Sequence, residues 1–410
     1  MRNNEIDIAV IGSGPAGAQA AAEAVYNGAK VTLFDIGHED KIYEPLIPES
    51  SFSEIRKIDP KQSHYFLGEN FKNISSKHEA GIHLSPGRMS AITEGKKIFS
   101  TECHNFHILQ SSALGGLGAA WGANCFEYDA HELERMGLPG ADVQAMYPII
   151  TREIGVSGPK NSDLSNFIGT FDGIQPSLPL DSNAQKIFSN YMKRKALLNT
   201  RGFNLGQSVL ATLSKPLKDR EANPLYDMDF YANFGESVYR PKQTVSELLL
   251  KENFTYSPYS ICQRIESIEP NNVQLYFKNS LNRAQNITCR ARRVILAAGA
   301  IGSAQILLSS LGENNARLPL LCNRNHWIAS LNLKMLGAKA GDRRHSLSQL
   351  TAIQTHPLNP NENIVAHFYS YRSLLLYRLI QESPFLPRTS LYLARLVMFL
   401  MIMVNTKFKQ

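Results

Sequence analysis

The sequence lacks several features that mark whole protein classes. Its five cysteines (Cys103, Cys125, Cys262, Cys289 and Cys322) are scattered, odd in number and never in a C-x-x-C pair. That excludes zinc-ribbon spacing and a disulfide framework, and it points to a reducing compartment, so a cytoplasmic location is expected. No stretch reaches the roughly 20 apolar residues that span a bilayer. The nearest, Leu391 to Val404, is 14 residues long and is interrupted by Arg395. Residues Met1 to Glu5 are polar and the apolar run after them is short, so no export signal is expected. The basic excess is small, 43 Lys+Arg against 36 Asp+Glu for +7, with no basic stripe interleaved with aromatics. A nucleic-acid partner is therefore not expected. Neither G-x-S-x-G nor H-E-x-x-H occurs, which leaves hydrolase and zinc-protease chemistry without support. What remains is an ordinary globular balance, 43% hydrophobic and 19% charged, over 410 residues. That length suits two domains.

The N-terminus carries the first informative pattern. Ile6-Asp7-Ile8-Ala9-Val10-Ile11 reads as a buried parallel strand stopped by Gly12. Gly12-Ser13-Gly14-Pro15-Ala16-Gly17 fits G-x-G-x-x-G, and Ala18 to Tyr26 is a strong helix former with Gly28 as its C-terminal cap. Lys30 to Phe34 reads as a second strand ending at Asp35. Gly12 allows the tight strand-to-helix turn, Gly14 lets a pyrophosphate approach the backbone, and Gly17 lets the helix pack closely on the strand. The free N–H groups of the helix start then face the phosphates. Asp35, 23 residues after Gly12, can accept both hydroxyls of an adenosine ribose, which disfavours a 2′-phosphate. The plainer alternative is a glycine-rich turn in some other α/β unit, and the motif alone does not separate FAD from NAD.

Two further runs are short of side chains. Gly115-Gly116-Leu117-Gly118-Ala119-Ala120-Trp121-Gly122-Ala123 places four glycines around one tryptophan. Such a density of small residues implies close approach of a flat ligand or of another backbone, or a tight helix–strand crossing. Val294 to Ala298 reads as a buried strand, followed by a turn at Gly299 and a helix starting near Ser303.

These three motifs, in this order, resemble those of the glucose–methanol–choline oxidoreductases, FAD enzymes that oxidise alcohols. Val294 to Ser303 is similar to one family signature, and Gly115 to Gly122 to the flavin-loop signature in its tryptophan form. The resemblance implies an α/β fold: a Rossmann-like FAD-binding domain of the GR2 type with an inserted α+β substrate module. It implies that Gly12, Ser13, Gly14, Pro15, Ala16 and Gly17 line the pyrophosphate and that Asp35 holds the ribose. Gly115, Gly116, Trp121, Gly122 and Ala123 would lie along the flavin, and Ala298 and Gly299 would close the diphosphate site. Ser260 to Ile265 resembles the short strand whose backbone reads the adenine, with Cys262 at that position. Members with covalent flavin carry a histidine before the loop tryptophan; Ala120 stands there, so non-covalent FAD is expected. The implied reaction is oxidation of an alcohol, a sugar among the candidates, by hydride transfer to flavin N5, with an electron acceptor the sequence does not name.

The family's C-terminal histidine pair and its closing glycine- and proline-rich segment are not found, so no catalytic residue is assigned. A truncated chain or a flavin-binding remnant without turnover is the rival expectation. His356, in Thr355-His356-Pro357, and Arg343-Arg344-His345-Ser346 read as solvated loops. Residues 1–37, 106–150 and 235–312 are expected to form the FAD-binding domain, and 38–105 a loop-rich excursion over the cofactor. Residues 151–234 and 313–370 are expected to form the substrate module. The tail 371–410 holds six Lys/Arg against Glu382, +5 of the whole +7, among apolar residues. Such a stretch can lie at a membrane surface.

Overall fold

Residues Ile6–Ile11 form the central strand that their apolar run predicts, and the rest of the architecture is ordered around it. The computed structural model describes residues 6–71, 85–99, 108–313, 315–321, 343–359 and 362–370. Glu102, His104, His326, Ile328, Ser330 and Asn332 are described as isolated positions. Cys103, Cys322 and the tail 371–410 lie outside the described residues. Along the chain run β1 (Ile6–Ile11), α1 (Pro15–Tyr26), β2 (Val31–Phe34), α2 (Pro86–Ile98), α3 (Gly140–Ile154), α4 (Ser182–Met192) and β3 (Phe203–Gln207). Then come α5 (Pro241–Leu248), β4 (Phe254–Ser257), β5 (Ser260–Glu269), β6 (Asn272–Asn279), β7 (Asn286–Leu296), α6 (Gly299–Leu311), β8 (Leu350–Thr355) and β9 (Asn363–Phe368). The chain divides into two units. One gathers Met1–Ile47, Leu84–Trp121 and Arg240–Cys322; the other gathers Pro48–His83, Gly122–Tyr239 and Asn323–Gln410.

The first unit is built on a six-stranded sheet in the order β4-β2-β1-β7-β6-β5. The first four strands are parallel, and β6 and β5 continue antiparallel. Strand alternation divides β1 between two faces. Val10 packs with Ala18, Ala21, Ala22 and Val25 of α1 and with Val245 and Leu248 of α5. Ala9 and Ile11 point the other way, toward Phe34, Leu275, Phe277 and Ile306 of α6. Each fully buried Leu or Val on these faces is worth about 1.5–3 kcal/mol of transfer free energy. The alanines of α1 leave no bulk between helix and sheet, so the helix start lies close to the strand end.

The second unit carries the three-stranded antiparallel sheet β3-β8-β9. Ala184 and Tyr191 of α4 pack on Leu205, Leu350 and Ala352 of that sheet. Asp181 caps α4 by accepting from the Ala184 N–H at 2.8 Å. The result is a parallel-sheet α/β unit and an α+β unit, the fold class expected.

The boundaries differ from the expected ones, and two of the differences have a visible physical cause. Residues 122–150 fall in the second unit, because the segment after Trp121 joins it by backbone hydrogen bonds. Ala211 N–H donates to Ala123 at 2.7 Å, and Cys125 N–H donates to Val209 at 3.0 Å. Residues 84–99 fall in the first unit: α2 buries Ala91 and Ile92, and Ser111 donates to the Ala91 carbonyl at 2.6 Å. The helix expected near Ser303 starts four residues earlier, at Gly299, because Ser303 sits inside its first turns and accepts from the Ala298 N–H at 3.1 Å.

Candidate cofactor site

β1 and β7 are paired in parallel with Ile11 opposite Leu296, so both chains leave the sheet at the same edge. There the side-chain-poor bends meet. Gly12 has φ +101°, and a Cβ on it would lie 2.5 Å from the Ala297 carbonyl oxygen. A Cβ on Gly17 would collide with the Gly12 carbonyl and touch the Ala297 methyl. The loop Gly115 to Ala119 arrives at the same place. A Cβ on Gly116 would stand 3.2 Å from Gly14 Cα, and one on Gly118 would stand 2.8 Å from the Pro241 ring and 3.0 Å from Pro15. Three segments spaced over nearly 300 residues are thus packed backbone to backbone.

Gly14 is the exception, and the informative one. A Cβ there would meet nothing within 4 Å, and its backbone (φ −59°, ψ 177°) suits any residue. Gly14 caps α1, whose first intrahelical bond runs from Ala18 N–H to the Gly14 carbonyl at 2.9 Å. Pro15 has no N–H, and the Ala16 and Gly17 N–H groups precede the first helical donor, the Ala18 N–H, so the open space over Gly14 faces donors without an intrahelical acceptor and the positive end of a 12-residue helix. This arrangement fits a diphosphate.

The carboxylate lies at the end of β2. Ser13 Oγ donates to Asp35 Oδ2 and accepts from the Gly115 N–H at 2.8 Å. The backbone N–H groups of Ile36 and Ser13 also donate to Asp35, and the Tyr256 hydroxyl lies 3.5 Å from it. Burial outweighs these donors and raises the Asp35 pKa from its ordinary 3.8 to about 6. Ser260 N–H donates to the Asp35 carbonyl at 2.8 Å and Tyr259 N–H to Ile36 at 3.1 Å, which ties the start of β5 to the end of β2. Cys262 follows two residues later. Its thiol packs beside the stacked Phe34 and Phe277 rings, whose centroids are 4.5 Å apart. β5 is a ten-residue antiparallel strand at the sheet edge, longer than the short strand expected there.

Ala298 and Gly299 sit at the start of α6, with Gly299 at φ +74°. Gly115 (φ +93°) and Gly116 (φ +57°) open the 3₁₀ turn Gly116–Ala119. Trp121 ends the first unit, and Gly122 and Ala123 belong to the second. Sequence reasoning missed Arg88, which is buried in the first turn of α2 and donates to the Trp121 carbonyl at 2.5 Å. Its signal was Ser85-Pro86, a helix start that places Arg88 on an inward face. Tyr256 was also missed.

Of the late histidines, His356 is exposed and caps the β8–β9 turn, its Nδ1 accepting from the Leu358 and Asn359 N–H groups at 3.3 and 3.0 Å. The segment Arg344-His345-Ser346 is not a solvated loop. All three residues are buried in the second unit. Arg344 pairs with Asp181 at 3.1 Å and Asp227 at 2.9 Å, and Ser346 N–H donates to Asp229 at 2.7 Å. These carboxylates hold the segment inside by satisfying charges and donors that water would otherwise have taken.

The first unit is a Rossmann-like domain. The family model of pyridine nucleotide-disulphide oxidoreductases matches residues 6–118 of the chain. No curated protein matches the sequence. Among solved structures, the chain is similar to pyridoxine 4-oxidase from Mesorbium loti at 15% identity and TM-score 0.40, covering 75% of this chain and 52% of that one. A fungal aryl-alcohol oxidase is similar at 12% identity and TM-score 0.41, covering 76% and 48%. Formate oxidase is similar at 13% and 0.42, again covering 76% and 48%. The chain spans about half the length of these structures. Among the described residues, no helix is long and apolar enough to cross a membrane, and no cluster of His, Cys, Asp or Glu could hold a metal ion.

Proposed function

We propose that the first unit binds FAD without a covalent link and that the chain is an FAD-dependent oxidoreductase acting on an alcohol. The observation that carries this reading is the convergence of three glycine-rich bends, from residues 12–17, 115–119 and 297–299, around one open helix start. Gly14, Ala16 and Gly17 would hold the diphosphate, Asp35 the ribose hydroxyls, and the loop from Gly115 to Trp121 the ring system. FAD when bound supplies a two-electron acceptor for hydride. The protein's part is to fix its orientation: Arg88 pins the Trp121 carbonyl, and Ser13 joins the loop to the ribose carboxylate. Ala120 offers no nucleophile to the flavin, which supports the non-covalent form. The second unit, with its antiparallel sheet, would supply the substrate contacts. The alcohols in question include sugars, and the electron acceptor is oxygen, a quinone or a carrier protein.

Purified protein tests the reading. FAD retained through gel filtration, and released on acid precipitation, is the expected result; colourless protein that binds NADH instead would overturn it. Anaerobic bleaching by one of a broad alcohol panel is expected of the enzyme. Yellow protein that no alcohol bleaches would mark a flavin-binding protein without turnover.

A further inference from the structure

Asp35 is gripped from both of its neighbouring strands. The sheet order β4-β2-β1 sets β2, which ends one residue before Asp35, between the other two. From the β1 side, Ser13 donates to Asp35 Oδ2. From the β4 side, the Tyr256 hydroxyl donates to the same oxygen at 3.5 Å. The pairing of β2 with β4 explains how Tyr256 reaches it. Tyr256 stands opposite Leu33, and the Asp35 N–H continues the ladder by donating to the Ser257 carbonyl at 3.1 Å. Leu33 and Asp35 are two apart, so both point to one face, and Tyr256 points there too. Leu33 is fully buried on that face with Val10 and Val25, and the Tyr256 ring packs against the same cluster. The ring therefore carries its hydroxyl past Leu33 to the strand end, where Asp35 lies.

The chain makes room for this hydroxyl. A Cβ on Gly37 would lie 2.2 Å from the Tyr256 hydroxyl oxygen and 3.4 Å from Pro258, and Gly37 has φ +68°. Any side chain at 37 would push the phenol away from Asp35. Glu39, the other acid that acts on Tyr256, is paired with Lys242 at 2.5 Å, so Asp35 is the acceptor for the phenol. Burial and these carboxylates raise the Tyr256 pKa above its ordinary 10, which keeps the phenol a donor. A phenylalanine would fill the same apolar cluster. What tyrosine adds is one proton aimed at a buried carboxylate. A carboxylate accepts best from two hydroxyls when it is ionised and its plane is fixed, and a donor on each side of Oδ2 serves both ends.

We propose that Tyr256, seated on Gly37, is a positioning residue that holds the Asp35 carboxylate for the 2′,3′-diol of an adenosine ribose and so sets the selectivity of the site for that diol. The proposal deepens the cofactor reading and rests on it for the ligand. Calorimetric titration of the full chain, freed of flavin, with ADP and with 2′-deoxy-ADP tests it. The parent is expected to bind ADP about ten-fold more tightly, because the deoxy sugar leaves a carboxylate oxygen without its donor. In Tyr256→Phe this preference is expected to fall to about three-fold with little change for 2′-deoxy-ADP, a pattern that lost packing would not give. ¹³C-labelled aspartate carboxyls, with Asp35 identified by Asp35→Asn, supply a second readout that needs no ligand. Asp35 is expected to ionise at about 6 in the parent and at higher pH in Tyr256→Phe, where the charged form has lost a donor. An Asp35 titration that Tyr256→Phe leaves in place would overturn the proposal. A parent that binds neither nucleotide would sink the cofactor reading and this proposal with it. A parent whose preference for ADP survives intact in Tyr256→Phe would sink this proposal alone.

Discussion

The Ser13 hydroxyl donates to the Asp35 carboxylate while it accepts from the Gly115 N–H at 2.8 Å, so one buried side chain joins the ends of two strands and the glycine loop. Removing it uncouples them. Ser13→Ala is expected to weaken FAD binding about ten-fold, the effect of one lost buried hydrogen bond that also positions a second group. Flavin fluorescence quenching on titration measures it, and unchanged affinity would contradict the bridging role.

Gly14 and Gly17 separate folding from binding. A methyl on Gly17 collides with the Gly12 carbonyl, so Gly17→Ala is expected to destabilise the protein by about 3 kcal/mol or more. A methyl on Gly14 meets nothing, so Gly14→Ala should fold with a Tm within about 2 °C of the parent yet lose FAD, because the methyl fills the space a diphosphate needs. Thermal melts and FAD retention are read on the same samples. Retained FAD in folded Gly14→Ala would remove the diphosphate from this helix start.

The contrast between these glycines also marks what a sequence can reveal. Gly12, Gly17 and the strand before them were legible because their constraints are local: a period-two apolar run, a turn, and a helix that must lie close to it. Ser13 could be placed in the motif, but not its bond to Gly115, which lies 102 residues away. The burial of Arg344 was illegible for the same reason. Three charged or polar residues in a row look like solvent, and Asp181, which makes them an interior cluster, stands 163 residues earlier. The division after Trp121 was equally hidden, since it depends on backbone pairing with residues 209–211.

Asp35 ionises with difficulty in the folded protein, at about 6 against an ordinary 3.8. Between these values the folded state holds more protons than the unfolded state. Stability is therefore expected to fall as pH rises from about 4 to 6, by roughly 2 kcal/mol in all, and to stay lower above. Asp35→Asn keeps an acceptor for Ser13 and carries no charge, so it is expected to abolish this slope and raise the Tm of FAD-free protein above pH 6. The same change should weaken FAD, since the carboxylate that accepts both ribose hydroxyls is gone. Urea melts across pH 4–8 check the first effect; an undiminished slope in Asp35→Asn would show that another group carries it.

Arg344 and His345 make the second unit sensitive to charge in the opposite sense. Arg344 is the cation between Asp181 and Asp227, and Arg344→Met is expected to cost about 3–5 kcal/mol by leaving buried carboxylates uncompensated. His345 is buried beside Gln349, and desolvation lowers its pKa from 6.5 to about 4. The unfolded state thus binds a proton that the folded state refuses, so stability is fully present above pH 6.5 and is lost as pH falls toward 4. His345→Gln should flatten that loss while lowering stability at pH 7, because glutamine fills the space without a titrating ring. The two slopes, from Asp35 and from His345, run against each other over the same range, and only the single variants resolve them. If His345→Gln left the acid limb of the melts unchanged, the buried imidazole would not be its source.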